Sequence, residues 1–154
     1  MRKIILQNKT ILVTGSAGFI GSNLVLELLK SQSSVNIIGI DNMNDYYDVS
    51  IKQWRLSEID KCAKNHVDNT YTFIKGDISD KTIIEHIFTK YKPAIVVNLA
   101  AQAGVRYSIT TPDAYIQSNL IGFYNILEAC RHSYDNGESG VEHLVYASSS
   151  SVYG

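Results

Sequence analysis

The stretch that most constrains this chain is Thr14-Gly15-Ser16-Ala17-Gly18-Phe19-Ile20-Gly21. An apolar run, Thr10-Ile11-Leu12-Val13, enters it, and Ile20, Leu24 and Leu28 leave it at helical spacing. Glycine triplets are common, but strand, glycine turn and helix in that order give this one a mechanism. Gly15 permits a sharp turn off the strand. Gly18 leaves room for a pyrophosphate against the backbone, and Gly21 lets helix and strand pack closely. The N–H groups at the helix start, backed by the positive end of the helix dipole, then face phosphate. Asp41 closes a second apolar run, Val35-Asn36-Ile37-Ile38-Gly39-Ile40, twenty residues beyond Gly21. A carboxylate at the tip of a second strand can hold both ribose hydroxyls of an adenosine and repels a 2′-phosphate. Together the two features read as a dinucleotide site that favours NAD over NADP.

Strand and helix patterns alternate along the rest of the chain, which argues for a parallel sheet with helices on both faces. After Asp41 a polar, aromatic loop, residues 42–48, precedes a helix over residues 51–64, with Ile51, Trp54, Arg55, Ile59 and Cys62 on one side. Tyr71-Thr72-Phe73-Ile74-Lys75 is a strand closed by Gly76-Asp77-Ile78. Ser79 or Asp80 can cap the next helix, whose inner face is Ile83, Ile84, Ile87, Phe88 and Tyr91. Pro93 opens a near-continuous apolar run, Ala94-Ile95-Val96-Val97-Asn98-Leu99, of the kind a central parallel strand needs. A small-residue loop, 100–106, and the longest helix, 112–132, follow. The last strand, His143-Leu144-Val145-Tyr146-Ala147, runs into four serines and the sequence stops at Gly154. The expected fold class is α/β: a Rossmann-like doubly wound parallel sheet, truncated after its fifth strand, with ligands outside the carboxyl ends of the strands.

At 154 residues, 45% of them hydrophobic and 19% charged, the chain can build one domain with a core of its own. A net charge of −1 with no basic block gives no electrostatic reason to expect nucleic acid or an anionic membrane as partner. Cys62 and Cys130 match no metal or redox spacing, and the four histidines share no ligand spacing, so no metal is expected. The apolar run near the N-terminus is too short for a signal peptide, and a reducing, cytoplasmic setting fits the cysteines.

Five stretches carry a family resemblance. They are Val13 with the octapeptide above, Gly76-Asp77-Ile78, Asn98-Leu99-Ala100-Ala101-Gln102-Ala103-Gly104-Val105-Arg106, Ser118-Asn119-Leu120-Ile121-Gly122, and residues 147–154. Through them the chain resembles the extended short-chain dehydrogenases/reductases of the NAD-dependent nucleotide-sugar epimerase/dehydratase branch. Asp41-Asn42-Met43-Asn44-Asp45-Tyr46-Tyr47-Asp48 and the loop 101–108 are most similar to UDP-glucuronate 4-epimerases. The resemblance implies NAD as cofactor and a nucleotide sugar, a UDP-hexuronate or UDP-hexose, as substrate. It implies that Gly15, Gly18, Phe19, Ile20 and Gly21 cradle the pyrophosphate, and that Asp41, with Asn42 beside it, holds the adenosine ribose. Asp77 and Ile78 would contact adenine, and Leu99, Ala100, Ala101 and Ala103 would line the nicotinamide side, supported by Asn119. Ser149 would hydrogen-bond the reacting sugar hydroxyl, with Ser150 and Ser151 beside the sugar. A 4,6-dehydratase is disfavoured, because such enzymes resemble Thr-Asp-Glu where this chain has Ser149-Ser150-Ser151, and elimination of water needs that acid–base pair. Arg106 suits a sugar carboxylate as well as it suits a surface position.

The resemblance also sets an expectation of incompleteness. In the family a catalytic Tyr-x-x-x-Lys follows the serine strand on a further helix, and the UDP-binding half follows that. The one match here, Tyr71 and Lys75, falls in a strand that separates the two by about 13 Å, so it cannot cooperate as one helical turn would. The 154 residues are therefore expected to be the cofactor-binding N-terminal part of an epimerase that is a homodimer at full length. Alone they are expected to be inactive, and unstable or associated through Leu120, Phe123, Tyr124 and Leu127.

Overall fold

The computed structural model describes residues 4–135, 137, 139–149 and 152. Strands β1 (Thr10–Thr14), β2 (Asn36–Asp41), β3 (Thr70–Lys75), β4 (Ile95–Asn98) and β5 (His143–Tyr146) form one sheet in the order β3-β2-β1-β4-β5. Every pairing is parallel. Helix α1 (Phe19–Ser31) joins β1 to β2, α2 (Val49–Asn65) joins β2 to β3, and α3 (Lys81–Tyr91) joins β3 to β4. The order reverses beside β1, so the connections that leave β1 and β4 at their carboxyl ends run to helices on opposite faces of the sheet. That is the topological switch point where open α/β sheets bind ligands. The fold is the Rossmann-like doubly wound sheet the patterning implies.

The period-2 alternation of the strands divides the core in two. Ile11, Val13 and Ile37 face Val25 and Leu29 of α1 and Ile59 and Cys62 of α2. Leu12, Ile38, Ile40 and Val96 face the other way, onto Ile84 and Ile87 of α3 and Ile126. Asp80 caps α3 by accepting from the N–H groups of Thr82 and Ile83. Asp48 caps α2 by accepting from Ser50 N–H at 2.8 Å.

Two elements depart from the sequence reading. On α2 the buried residues are Lys52, Ile59 and Cys62, whereas Ile51 and Trp54 are 46% and 62% exposed. The helix is rotated so that a lysine points inward, because a carboxylate waits for it at the end of β2. The long helix spans 112–132 as expected, but its hydrogen bonding is not uniform. It runs as α5 (Pro112–Tyr115), a π-helical segment (Ile116–Gly122) and α6 (Phe123–His132), preceded by a separate short helix, α4 (Tyr107–Thr110). Pro112 lacks the N–H that would carry α4 into α5. The wider π turn brings Gly122 so close to Ile78 that a Cβ would overlap the Ile78 side chain.

Strand β5 covers little of its own surface: Val145 and Tyr146 are 43% and 54% exposed. Leu120, Tyr124 and Leu127 are exposed as well, and Phe123 of α6 packs its ring 5.1 Å from that of Tyr146. No helix of the described residues is long and apolar enough to cross a membrane.

Candidate cofactor site

The glycines of the turn are held by contacts that leave no room for a Cβ. Gly15 has φ +67°, and a Cβ there would sit 3.0 Å from Ala100 N at the end of β4. A Cβ on Gly21 would overlap the Gly15 carbonyl. The loop amides are satisfied internally: Ser16 N–H donates to Ile40 O, Ala17 N–H to Asp41 Oδ2 and Gly18 N–H to Gly15 O. The first bond of α1 is Ser22 N–H to Gly18 O at 3.0 Å, and no side chain caps the helix. Phe19, Ile20 and Gly21 therefore present their amides at the helix mouth, the position where an anion is stabilised. Arg55 of α2 braces the turn by donating to Ala17 O at 3.3 Å, with its guanidinium 5.8 Å from the Phe19 ring centre.

Asp41 ends β2 and is only 7% exposed. Besides the Ala17 amide on Oδ2, its Oδ1 accepts from Met43 N–H at 2.9 Å and from Lys52 Nζ at 3.3 Å. Lys52 Nζ also donates to Asn44 Oδ1 at 3.0 Å. The loop that follows the strand is thus folded back on the carboxylate. Sequence reasoning placed Asp41 correctly and missed Lys52, because a lysine in an amphipathic helix is ordinarily assigned to solvent.

Asp77, past the end of β3, accepts from Asn42 Nδ2 at 2.8 Å on Oδ2, and from Ser79 N–H and Oγ–H on Oδ1. Burial opposes ionisation of this carboxyl, but the bonds from Asn42 and Ser79 outweigh it and hold its pKa below the usual carboxylate range. Asn42, read as a cofactor contact, therefore orients Asp77. The Ile78 side chain is buried in the core beneath Gly122, and its carbonyl accepts from Asn125 Nδ2 at 3.0 Å. Any contact of Ile78 with a ligand on the cleft side is consequently a backbone one.

The fourth-strand loop hangs on one hydroxyl. Thr14, fully buried, donates to Asn98 Oδ1 at 2.7 Å and accepts from Leu99 N–H at 3.1 Å and Ala100 N–H at 2.9 Å. Asn119, in the π-helical segment, accepts from Gln102 N–H and donates to Gln102 O, at 2.8 and 2.9 Å. Both halves of the Asn119 amide are thus engaged, and Asn119 holds the loop in place, the supporting role expected of it. Gly15, Gly18, Asp41, Asp77, Leu99 and Ala103 come together around a cavity of about 140 Å³ at the switch point, which Lys52 also lines. Tyr46 and Tyr47 also line it and belong to a cluster of four rings: Tyr46 lies 4.7 Å from Tyr47 and 4.8 Å from Tyr107, which is 6.3 Å from Tyr115.

Ser149 follows β5 on the same edge of the sheet. Ala147 N–H extends the pairing to Asn98 O, and Ser149 O accepts from Val152 N–H. Ser150 and Ser151 lie outside the described residues. A larger cavity, about 490 Å³, opens between α3 and α6 beside Phe88 and Tyr124. It contains neither the glycine turn nor Asp41, so size does not mark the site here. Among the described residues no three His, Cys, Asp or Glu side chains converge as a metal set would.

The chain has relatives of known name. Protein CapI of Staphylococcus aureus is 49% identical over 144 residues, 94% of this chain and 39% of that protein. A UDP-glucuronate 4-epimerase of Thermodesulfobacterium geofontis is 42% identical over 142 residues, 92% of this chain and 40% of the relative. A crystal structure of UDP-glucuronic acid 4-epimerase from Bacillus cereus, in complex with UDP-glucuronic acid and NAD, matches with a TM-score of 0.75 at 29% identity, over 94% of this chain and 41% of that one. The chain spans about two fifths of the length of these relatives. The family model for GDP-mannose 4,6 dehydratase matches residues 12–154, from the first strand through the last serines, and the chain accordingly belongs to that family.

Proposed function

We propose that these 154 residues are the NAD-binding part of a nucleotide-sugar 4-epimerase that acts on UDP-glucuronate. The observation that carries the reading is the cleft itself. Gly15 and Gly18 of the turn that leads into α1, a carboxylate at the end of β2 and a second carboxylate after β3 line one cavity at the switch point, and the two side chains of the turn, Ser16 and Ala17, are buried away from it. That arrangement fits a dinucleotide: amides toward the pyrophosphate, Asp41 toward the adenosine ribose, Asp77 toward the adenine side and residues 99–103 toward the nicotinamide side. NAD, when bound, supplies reversible hydride transfer, the chemistry that inverts a carbinol carbon through a ketone. The chain's own residues bind and orient. Ser149 hydrogen-bonds the sugar hydroxyl, and the proton acceptor is expected from the Tyr-x-x-x-Lys helix of the resembling enzymes. The relatives' names support the uronate as substrate, and the serines at 149–151 argue against dehydration, since none carries the carboxyl group that elimination needs.

The experiment has two arms. NADH is titrated into the 154-residue chain by fluorescence, and UDP-glucuronate is offered with NAD to the gene product that carries these residues, with products separated by chromatography. Saturable NADH binding and conversion to UDP-galacturonate are expected. Release of a stable 4-keto-6-deoxy sugar, or turnover of neutral UDP-glucose with none of the uronate, would overturn the substrate assignment.

A further inference from the structure

We propose that Lys52 is a direct ligand of the cofactor's adenosine ribose and sets how strongly a 2′-phosphate is refused; this rests on the NAD reading above. A carboxylate has about four acceptor positions. On Asp41 three are already taken, by Ala17 N–H on Oδ2 and by Met43 N–H and Lys52 on Oδ1. One position remains, on Oδ2, enough for a single ribose hydroxyl. The donors that could serve the second hydroxyl from the glycine turn are also engaged, since Ser16, Ala17 and Gly18 N–H all bond within the protein. Lys52 is different. Its ammonium has three N–H donors. Asp41 Oδ1 and Asn44 Oδ1 accept two of them, and among the described residues the third has no recorded partner. The side chain is nine-tenths buried and lines the same cavity as Asp41. A buried ammonium left one bond short is costly, and a ribose hydroxyl at that point repairs the deficit.

The carboxylate and the ammonium thus divide the diol. One hydroxyl donates to Asp41 Oδ2 and the other accepts from Lys52 Nζ. The arrangement has a consequence for selectivity. An acidic residue at this position repels a 2′-phosphate because its charge is unopposed. Here a cation sits 3.3 Å from it, so the refusal of NADP is weaker than Asp41 alone would give.

Affinities for NADH and NADPH are measured on the 154-residue chain and on Lys52→Met, and affinities for ADP, 2′-deoxy-ADP and 3′-deoxy-ADP on the unmutated chain. Loss of one charge-assisted hydrogen bond is expected to weaken NADH about tenfold in Lys52→Met. NADPH is expected to weaken by at least a further fivefold or so, since the Asp41 charge is then uncompensated, and the preference for NADH therefore widens. A lysine that merely supports the fold would shift both cofactors alike, leaving their ratio unchanged, and that result overturns the proposal. The deoxy-nucleotide arm does not depend on the variant folding: each deoxy analogue is expected to bind about tenfold more weakly than ADP. If either binds as tightly as ADP, only one hydroxyl is held and the proposal fails. Absence of any binding by NADH and ADP would overturn the cofactor reading and this inference together, whereas NADH binding with an unchanged ratio overturns this inference alone.

Discussion

Thr14→Val is the substitution that reports most sharply on how the cleft is built. Valine matches threonine in shape but has no hydroxyl, so the change removes one hub and leaves its partners in place. Those partners are Asn98 Oδ1 and the N–H groups of Leu99 and Ala100, at 2.7, 3.1 and 2.9 Å. A buried polar group left unpaired costs about 1–3 kcal/mol. Thr14 and Asn98 are buried, while the two amides border the cleft and regain part of their bonding from water. Taking the lower end for each of the three groups gives a destabilisation of about 3 kcal/mol. For a chain of this size that corresponds to a fall of roughly 6–12 °C in melting temperature. Thr14→Ser keeps the hydroxyl and loses only a buried methyl, so it should cost about 1 kcal/mol. Urea denaturation followed by far-UV circular dichroism measures both. NADH affinity should fall with Thr14→Val, because the Leu99–Ala100 segment loses its anchor. If Thr14→Val lies within about 1 kcal/mol of the unmutated chain, or matches Thr14→Ser, the hydroxyl is not the hub described here.

Three further outcomes follow from the geometry. Gly21→Ala places a Cβ against the Gly15 carbonyl, backbone that cannot yield cheaply, so a loss of about 2 kcal/mol or more and a large drop in NADH affinity are expected by denaturation and titration. Burial pushes the Tyr71 phenol up to about 12, against a smaller opposing effect from the Ser16 hydroxyl beside it, so the fold favours the protonated form. That stability is fully present below the unfolded value near 10 and is lost as pH rises toward about 12; Tyr71→Phe should leave stability at pH 7 nearly unchanged and flatten the alkaline limb of a pH–stability curve. Asp77 behaves in the opposite sense: its folded pKa is depressed, so its contribution is present above the unfolded value near 3.9 and lost as pH falls through the folded one, and Asp77→Asn should flatten the acid limb of the same curve.

Much of this was legible in the sequence because it rests on periodicity and on backbone space. The alternation of Ile11, Leu12 and Val13 across the sheet, the glycine turn between β1 and α1, and Asp41 at the tip of β2 are local patterns, and each appears where its pattern puts it. Asp80 as the cap of α3 follows from the same local chemistry. What the pattern could not reveal depends on contacts between distant residues. Lys52 looks like a solvent residue until α2 is docked beside Asp41, and its inward turn is what leaves Trp54 exposed. Thr14 is a conventional strand residue until β4 brings Asn98 alongside it, 84 positions later in the chain. The partners of Asn119 and Asn42 were equally hidden: Asn119 carries out its expected support of the fourth-strand loop through Gln102, and Asn42 donates to Asp77, 35 positions later. The widening of the long helix into a π segment is likewise a tertiary effect, tied to Gly122 packing on Ile78.

The central claim is that the smaller cavity at the switch point, not the larger one between α3 and α6, receives a dinucleotide. Backbone amide chemical shifts of the isotope-labelled chain, recorded during a titration with NAD, test it directly. The predicted result is saturating shifts at Phe19, Ile20 and Gly21, at Asp77 and Ile78, and at Leu99 to Ala101, with the amides of Glu85, Phe88 and Glu128 unmoved. Shifts confined to those last three, which line the larger cavity, with the glycine turn silent, would contradict the account.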